Sequence, residues 1–413
     1  MDTHKSPDRI DQQEQPSETN KSSLWVFAPL SEYQVPVLPA SSAATRTWSS
    51  LTRLFGGGSP QQQAPTPDRE EPRPLSPPRL DRLAPSPDWS AAIMAFDRTL
   101  DDWWRQENVD RPVRFLIGPP YGGHAEMVRR WGAALGAMVV AEPSGEQILA
   151  EDARWLADWP GAQPLWVLPH LEWCFLRHAN GLSLVRQLLE RAESGRLGCG
   201  LIGCDSWAWA FLEHVWPVSR PDALSIQAFD GNRLAQLFAA MATPRYGERI
   251  QFRNLNNGKD ILTAPFAEDE EVGTEIAELA AHSRGTAGLA AALWRRRLCA
   301  GPEEAEDTDA STAEEGRTEV AYVEEHIEEV RPSADFGEEE VLLLHALLLH
   351  NGLAESLLAQ LLPLPSSRTA ATLRRLHQGG LVELSDGRWR VAAPACVAVR
   401  ELLCSRDYLC DSF

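Results

Sequence analysis

The run Val113-Arg-Phe-Leu-Ile-Gly-Pro-Pro-Tyr-Gly-Gly-His-Ala125 passes from an apolar stretch into glycine and proline and out again into a helical pattern. Residues 113–117 read as a buried strand, 118–123 as a tight loop and 126–135 as a helix. Strand, glycine loop and helix in that order point backbone N–H groups and a helix N-terminus at an anion. The spacing is that of GxxxxGK followed by Ser or Thr: Gly118 and Gly123 hold the glycine positions, His124 stands where the lysine belongs and Ala125 where the hydroxyl belongs. The candidate nucleotide-binding residues are therefore Gly118, Pro119, Gly122, Gly123, His124 and Ala125. An ordinary strand-to-helix loop of another α/β unit carries similar glycines, so the surrounding order has to choose.

Downstream, short apolar runs at 137–141, 164–168 and 198–203 alternate with helical periodicity at 146–156, 181–193 and 207–214. That alternation predicts parallel strands joined by helices. Residues 229–241 and 275–298 read as a helical subdomain, and residues 302–335, with thirteen acids against Arg317 and Arg331, as a solvated linker. From 336 onward the pattern is three helices (338–350, 353–362, 366–378), then Gly379-Gly380 and a hairpin around Ser385-Asp386-Gly387, which makes a winged helix. Upstream, residues 93–104 have helical spacing, while residues 1–85 are rich in Pro, Gln, Ser and acids and read as a disordered arm. Inside that arm the apolar island 24–39 suits either a docking peptide or a strand lying on the protein's own surface. The expected units are 1–85, 86–228, 229–301, 302–335 and 336–413.

Taken in order, these segments resemble the AAA+ and related STAND ATPases, above all the initiator-type branch in which an ATPase core and helical lid are followed by a winged helix. The resemblance covers about residues 111–300 and 336–413. Leu165-Trp-Val-Leu-Pro-His-Leu-Glu172 looks like the Walker B strand, with Pro169 and His170 where its acids would stand. Leu201-Ile-Gly-Cys-Asp-Ser206 is similar to the sensor 1 strand end, which turns Asp205 or Ser206 toward the terminal phosphate. Ser219-Arg220 looks like the segment carrying an arginine before the last core strand, and residues 282–290 resemble the start of the sensor 2 helix, with Gly288 in place of its arginine. The resemblance implies an α/β fold, a P-loop NTPase-like parallel sheet with a helical lid. It also implies ATP or ADP as ligand, Asp205 among the nucleotide-binding residues, and Glu172, the only acid nearby, as the catalytic candidate.

The departures have a physical reading. Lysine neutralises the outer phosphates, the hydroxyl holds Mg²⁺ and the Walker B acid orients metal or water; losing all three removes most of the stabilisation of phosphoryl transfer. The expectation is a pseudo-ATPase without a metal site, acting as a regulatory or scaffolding module on protein partners, as a homo- or hetero-oligomer. His124 suits either a phosphate contact or a solvent-facing loop position, and Glu172 either a base or a surface acid at a helix start. Arg220 suits either an arginine finger on a neighbouring subunit, which would make the chain part of an ATPase completed by its partner, or a surface ion pair.

A net charge of −20 works against sequence-independent binding to nucleic acid. DNA recognition stays as an alternative through Arg368, Arg374 and Arg375, which share the third helix of the winged helix with no acid between 366 and 378. The seven scattered cysteines lack zinc-ligand spacing and are expected to be reduced, which points to the cytoplasm, and no apolar run reaches the roughly 18 residues of a membrane span, so membrane association would go through a partner.

Overall fold

The computed structural model describes residues 24–37, 73–106, 111–160, 164–216, 222–245, 249–262, 273–301, 318–324, 330, 332–333 and 336–413. Its strands are β1 (Phe27–Pro29), β2 (Arg73–Pro74), β3 (Val113–Gly118), β4 (Met138–Val139), β5 (Trp166–Leu168), β6 (Gly200–Asp205), β7 (Ala223–Ile226), β8 (Arg249–Asn254), β9 (Leu298–Ala300), β10 (Thr318–Val323), β11 (Val382–Ser385) and β12 (Arg388–Val391).

Along β3 the side chains alternate between two buried faces: Phe115 and Ile117 join one apolar cluster and Leu116 the other. Trp166 and Leu168 against Val167, and Ile202 and Cys204 against Leu201, repeat the division in β5 and β6. A strand covered on both faces reads as an unbroken apolar run, which is why these segments stood out in the sequence. Six strands form one sheet in the order β1-β7-β3-β6-β5-β4. All its pairs are parallel except β1 on β7. The helix His124–Ala134 packs Met127, Val128 and Trp131 on one face, and Ser206–Val215 packs Trp209 and Leu212 on the other. The chain thus has the expected α/β architecture: a P-loop NTPase-like parallel sheet and, after it, the helices Gly231–Met241, Thr274–His282 and Ala287–Arg297 in the place of a lid.

Because β6 lies between β3 and β5, with Gly118 level with Asp205 and Leu168 level with Ile202, the carboxyl ends of three strands open on one crevice. That is where an open α/β sheet binds its ligands.

Several expectations change. Residues 24–37 and 73–83 of the arm are folded: Leu24 and Trp25 are buried and β1 extends the main sheet. The island thus lies along the protein's own sheet. Residues 1–23 and 38–72 lie outside the described residues. β2, β8, β9 and β10 make a second sheet, in the order β2-β9-β10-β8. It takes residues 318–323 out of the supposed acidic linker, because Glu319 is gripped by Arg79 and Arg82 at 3.0 and 2.6 Å and ceases to be a solvated charge. Residues 275–298 are helical as expected, in two helices parted at Arg284 and Gly285, both in the left-handed region. After residue 336 come three helices, Glu338–Leu349, Glu355–Leu361 and Ser366–Gln378, and the hairpin of β11 and β12. This is the element order expected of a winged helix, called the helix–hairpin unit below. Cys404 and Cys410 form a disulfide, so not every thiol is reduced. No described helix is long and apolar enough to cross a membrane.

Candidate functional site

The expected strand, loop and helix are in place, but the loop is turned in on itself. The Gly122 N–H donates to the Pro119 carbonyl at 2.8 Å, so one donor of the expected phosphate cradle is already used. Gly123 has φ +75°, open to glycine at little cost, and a Cβ there would lie 2.3 Å from the Trp89 ring. Tyr121 adopts φ 65° without being glycine. His124 does not face solvent. It is 3% exposed and folds under the loop, so that a Cβ on Gly118 would meet its Nδ1 at 2.7 Å. The imidazole fills the hollow. What remains is a cavity of about 20 Å³, lined by Gly118, Pro119, Gly122, His124, Tyr33 and Ala287 among others, which is room for one water and not for a triphosphate.

Behind the loop lies a buried polar cluster. Glu172 is fully buried in the turn Leu171–Trp173, with one carboxylate oxygen 2.8 Å from His170 Nδ1 and the other accepting the Asp205 N–H at 3.1 Å. His124 Nε2 stands 3.9 Å away. Burial alone would raise the Glu172 pKa, but His124 and His170 outweigh it and hold the carboxyl well below its ordinary range. Asp205 behaves oppositely: burial first, then the charge of Glu172, push it well above. Its Oδ1 caps the helix Ser206–Val215 by accepting from the Trp207 N–H at 3.0 Å, while Oδ2 and both ring nitrogens of His124 have no hydrogen-bond partner. The expected catalytic acid is thus neither a surface residue nor a base facing a substrate water; it ties β5 to β6. With both its oxygens engaged and no hydroxyl at Ala125, these residues do not fit Mg²⁺, and the described side chains contain no His, Cys, Asp and Glu group suited to a metal.

Two further elements close on the loop. Gly288, in the place of the sensor 2 arginine, sits so close that a Cβ would lie 2.1 Å from the Tyr121 carbonyl oxygen. Only glycine lets the lid helix touch the loop here. From the helix–hairpin unit, the Val391 carbonyl accepts the Tyr121 hydroxyl at 2.8 Å, with Glu383 at 3.2 Å. His350 is held between the Glu172 carbonyl at 3.1 Å and the Arg177 N–H at 3.4 Å. Arg388 covers the Trp173 ring at 3.9 Å, and that ring stacks on His170 at 3.7 Å. The arginines expected to face DNA are partly taken: Arg368 pairs with Glu339 at 3.0 Å and Arg375 with Glu340, leaving Arg374 exposed on the helix. Arg220 lies outside the described residues.

Sequence reasoning missed the segment Tyr408–Phe413, which matches no motif. Asp411 is buried and accepts from Ser206 Oγ and from Arg400 Nε at 3.1 Å. Arg284 donates to the Phe413 carbonyl, and the Phe413 ring packs on Tyr33 with centroids 4.5 Å apart. The paired signals, Arg284 before a lid helix and Asp411 far along the chain, have no periodicity to connect them.

No family model matches the chain, and no curated protein does. Among solved structures it is similar to the crystal structure of Cdc6p from Pyrobaculum aerophilum, at 12% identity over 78% of this chain and 95% of that one, with a TM-score of 0.29. It is also similar to the Walker-type ATPase paby2304 of Pyrococcus abyssi, at 15% identity over 80% of this chain and 98% of that one, with a TM-score of 0.27. Similarity at that level adds nothing to the site; the strand order and the loop carry the argument.

Proposed function

We infer that the chain is a regulatory module built on a nucleotide-binding fold, in which occupancy of the loop is exchanged against the position of the helix–hairpin unit. The observation that carries this is the Tyr121 hydroxyl. A loop residue in a left-handed conformation is held by the Val391 carbonyl at 2.8 Å, so a nucleotide that opens the loop has to release the hairpin. Turnover has little support. The lysine position holds a histidine directed at Glu172, and Ala125 offers no hydroxyl to a metal. The output is then a change in which face of the helix–hairpin unit meets a protein partner.

The test is to titrate the purified protein with ATP and ADP, with and without Mg²⁺, following its melting temperature. A ligand at 100 times its Kd adds about 2.7 kcal/mol if it binds only the folded state. A Mg²⁺-independent rise for both nucleotides, together with loss of the Tyr121 contact on Tyr121→Phe and tighter nucleotide binding, is the expected result. No rise at millimolar nucleotide removes nucleotide from the reading, and rapid hydrolysis overturns the regulatory assignment.

A further inference from the structure

The segment Asp411–Phe413 is placed as a ligand would be. Two guanidinium groups and a hydroxyl converge on its polar atoms: Ser206 and Arg400 on the Asp411 carboxylate, and Arg284 on the Phe413 carbonyl, with Arg284 also 3.5 Å from the Ser412 carbonyl. Asp411 is 6% exposed and Phe413 4%. Two of these partners, Ser206 and Arg284, border the crevice, and Arg400 reaches Asp411 from the helix Cys396–Ser405. Ser206 directly follows Asp205 at the end of β6, and Arg284 directly precedes Gly285, Thr286 and Ala287, which line the loop cavity. Tyr33 is shared, lining that cavity and packing on the Phe413 ring. Arg284 is held at φ 52°, a conformation a non-glycine residue adopts at a cost and that clusters at binding sites.

We propose that Ser206, Arg284 and Arg400, with Tyr33 beside them, form a binding site for the phosphate groups and aromatic base of a nucleotide, and that the chain's own Asp411–Phe413 segment fills it. This rests on the reading of the fold as nucleotide-binding and adds what keeps the site closed. A guanidinium fork donates to carboxylate and phosphate oxygens alike, so the Asp411 carboxylate stands in for phosphate and the Phe413 ring for the base. The carboxylate is the poorer occupant: it carries one charge where a diphosphate carries more, and burial pushes its pKa up despite Arg400. The Cys404–Cys410 disulfide ties the start of the segment to the end of the helix Cys396–Ser405, which keeps its effective concentration at the site high. A nucleotide therefore competes with a tethered, weaker mimic.

The probe is ADP in Mg²⁺-free buffer, titrated by calorimetry into the full chain and into the Asp411→Ala/Phe413→Ala variant. Hydrogen exchange of the 409–413 amides is followed in the unmodified chain with and without ADP. The expected result is at least tenfold tighter ADP binding by the variant, reversed by adding Arg284→Ala, and loss of 409–413 protection when ADP binds the unmodified chain. ADP binding with equal affinity to both proteins while the segment stays protected overturns the proposal and leaves the nucleotide reading standing. ADP binding to neither overturns both. The exchange measurement needs no substitution, so it decides the matter even where the variant folds poorly.

Discussion

The loop and the helix–hairpin unit are both regions whose sequence promises contact with phosphate, and in both the residues concerned are turned onto the protein itself. They differ in what is left over. In the helix–hairpin unit the third-helix arginines Arg368 and Arg375 sit at the surface on Glu339 and Glu340, and no buried side-chain polar atom described after residue 336 lacks a partner. At the loop, both nitrogens of His124 and Oδ2 of Asp205 are buried without a protein partner. Native proteins keep such atoms rarely, because an unsatisfied buried group costs about 1–3 kcal/mol. The surface arginines describe a solvated face that has settled. The loop describes a site closed over buried polar atoms that no described protein group satisfies.

The sharpest way to break that contrast is Glu172→Ala. The carboxylate is fully buried and bridges His170 and the Asp205 N–H. Removing one partner from a buried pair typically costs about 3–5 kcal/mol, since the other is left uncompensated. Urea unfolding followed by tryptophan fluorescence is expected to show a loss of that size, with an unchanged slope. A loss below about 1 kcal/mol would mean that the cluster is only loosely integrated and that the two regions are alike.

A smaller effect tests how the two regions are joined. His350 is buried where the helix–hairpin unit meets the turn of Glu172, and its Nε2 accepts the Arg177 N–H, which a protonated ring cannot do. Burial, chiefly, pushes its pKa down to about 4. Unfolded, a histidine titrates near 6.5. Above that pH the ring is neutral in both states and its contribution is intact. As pH falls below 6.5 the unfolded chain takes up a proton that the folded chain refuses, and stability declines until about pH 4. Between pH 7 and pH 5 the loss from this one group is about 2 kcal/mol. Comparing unfolding curves of the unmodified protein and His350→Gln across that interval is expected to show a shallower decline in the variant. Parallel curves would remove the histidine as the coupling element.

How far the sequence carried depended on whether the signal was local. β3, β5 and β6 were readable because strands buried on both faces are continuous apolar runs, and the loop because glycine and proline punctuate it. The second sheet was not. Arg73–Pro74 is two residues long, and Thr318–Val323 lies among acids whose neutralising partners, Arg79 and Arg82, stand some 240 residues earlier. The site followed the same rule. His124 and Glu172 were found as departures from a motif, but their burial was not, because the groups around them come from distant parts of the chain, as His350 does to the turn of Glu172. The contacts of Tyr408–Phe413 were hidden altogether, since Asp411 meets Ser206 across 205 residues and Phe413 meets Arg284 across 129.

The smallest expected effect is at Arg375. Its side chain is 61% exposed and that of its partner Glu340 is 9% exposed, so one end of the pair is in water and the arginine gives up much of its Coulomb gain to solvent and salt. Arg375→Ala should therefore cost less than about 1 kcal/mol, and should cost still less at 0.5 M salt, where screening acts within a few ångströms. The comparison with Glu172→Ala is what gives the number meaning. If both substitutions cost several kcal/mol, Glu340 is a buried charge that depends on Arg375, and the helix–hairpin unit is held closed by its charges as the loop is. If Arg375→Ala is nearly neutral, that arginine is free to exchange Glu340 for an acidic partner surface at little cost, while the loop cannot open without losing its cluster. Salt-dependent binding of an acidic protein partner that is lost on Arg374→Glu would then follow from the same surface charge that makes Arg375 so weakly stabilising.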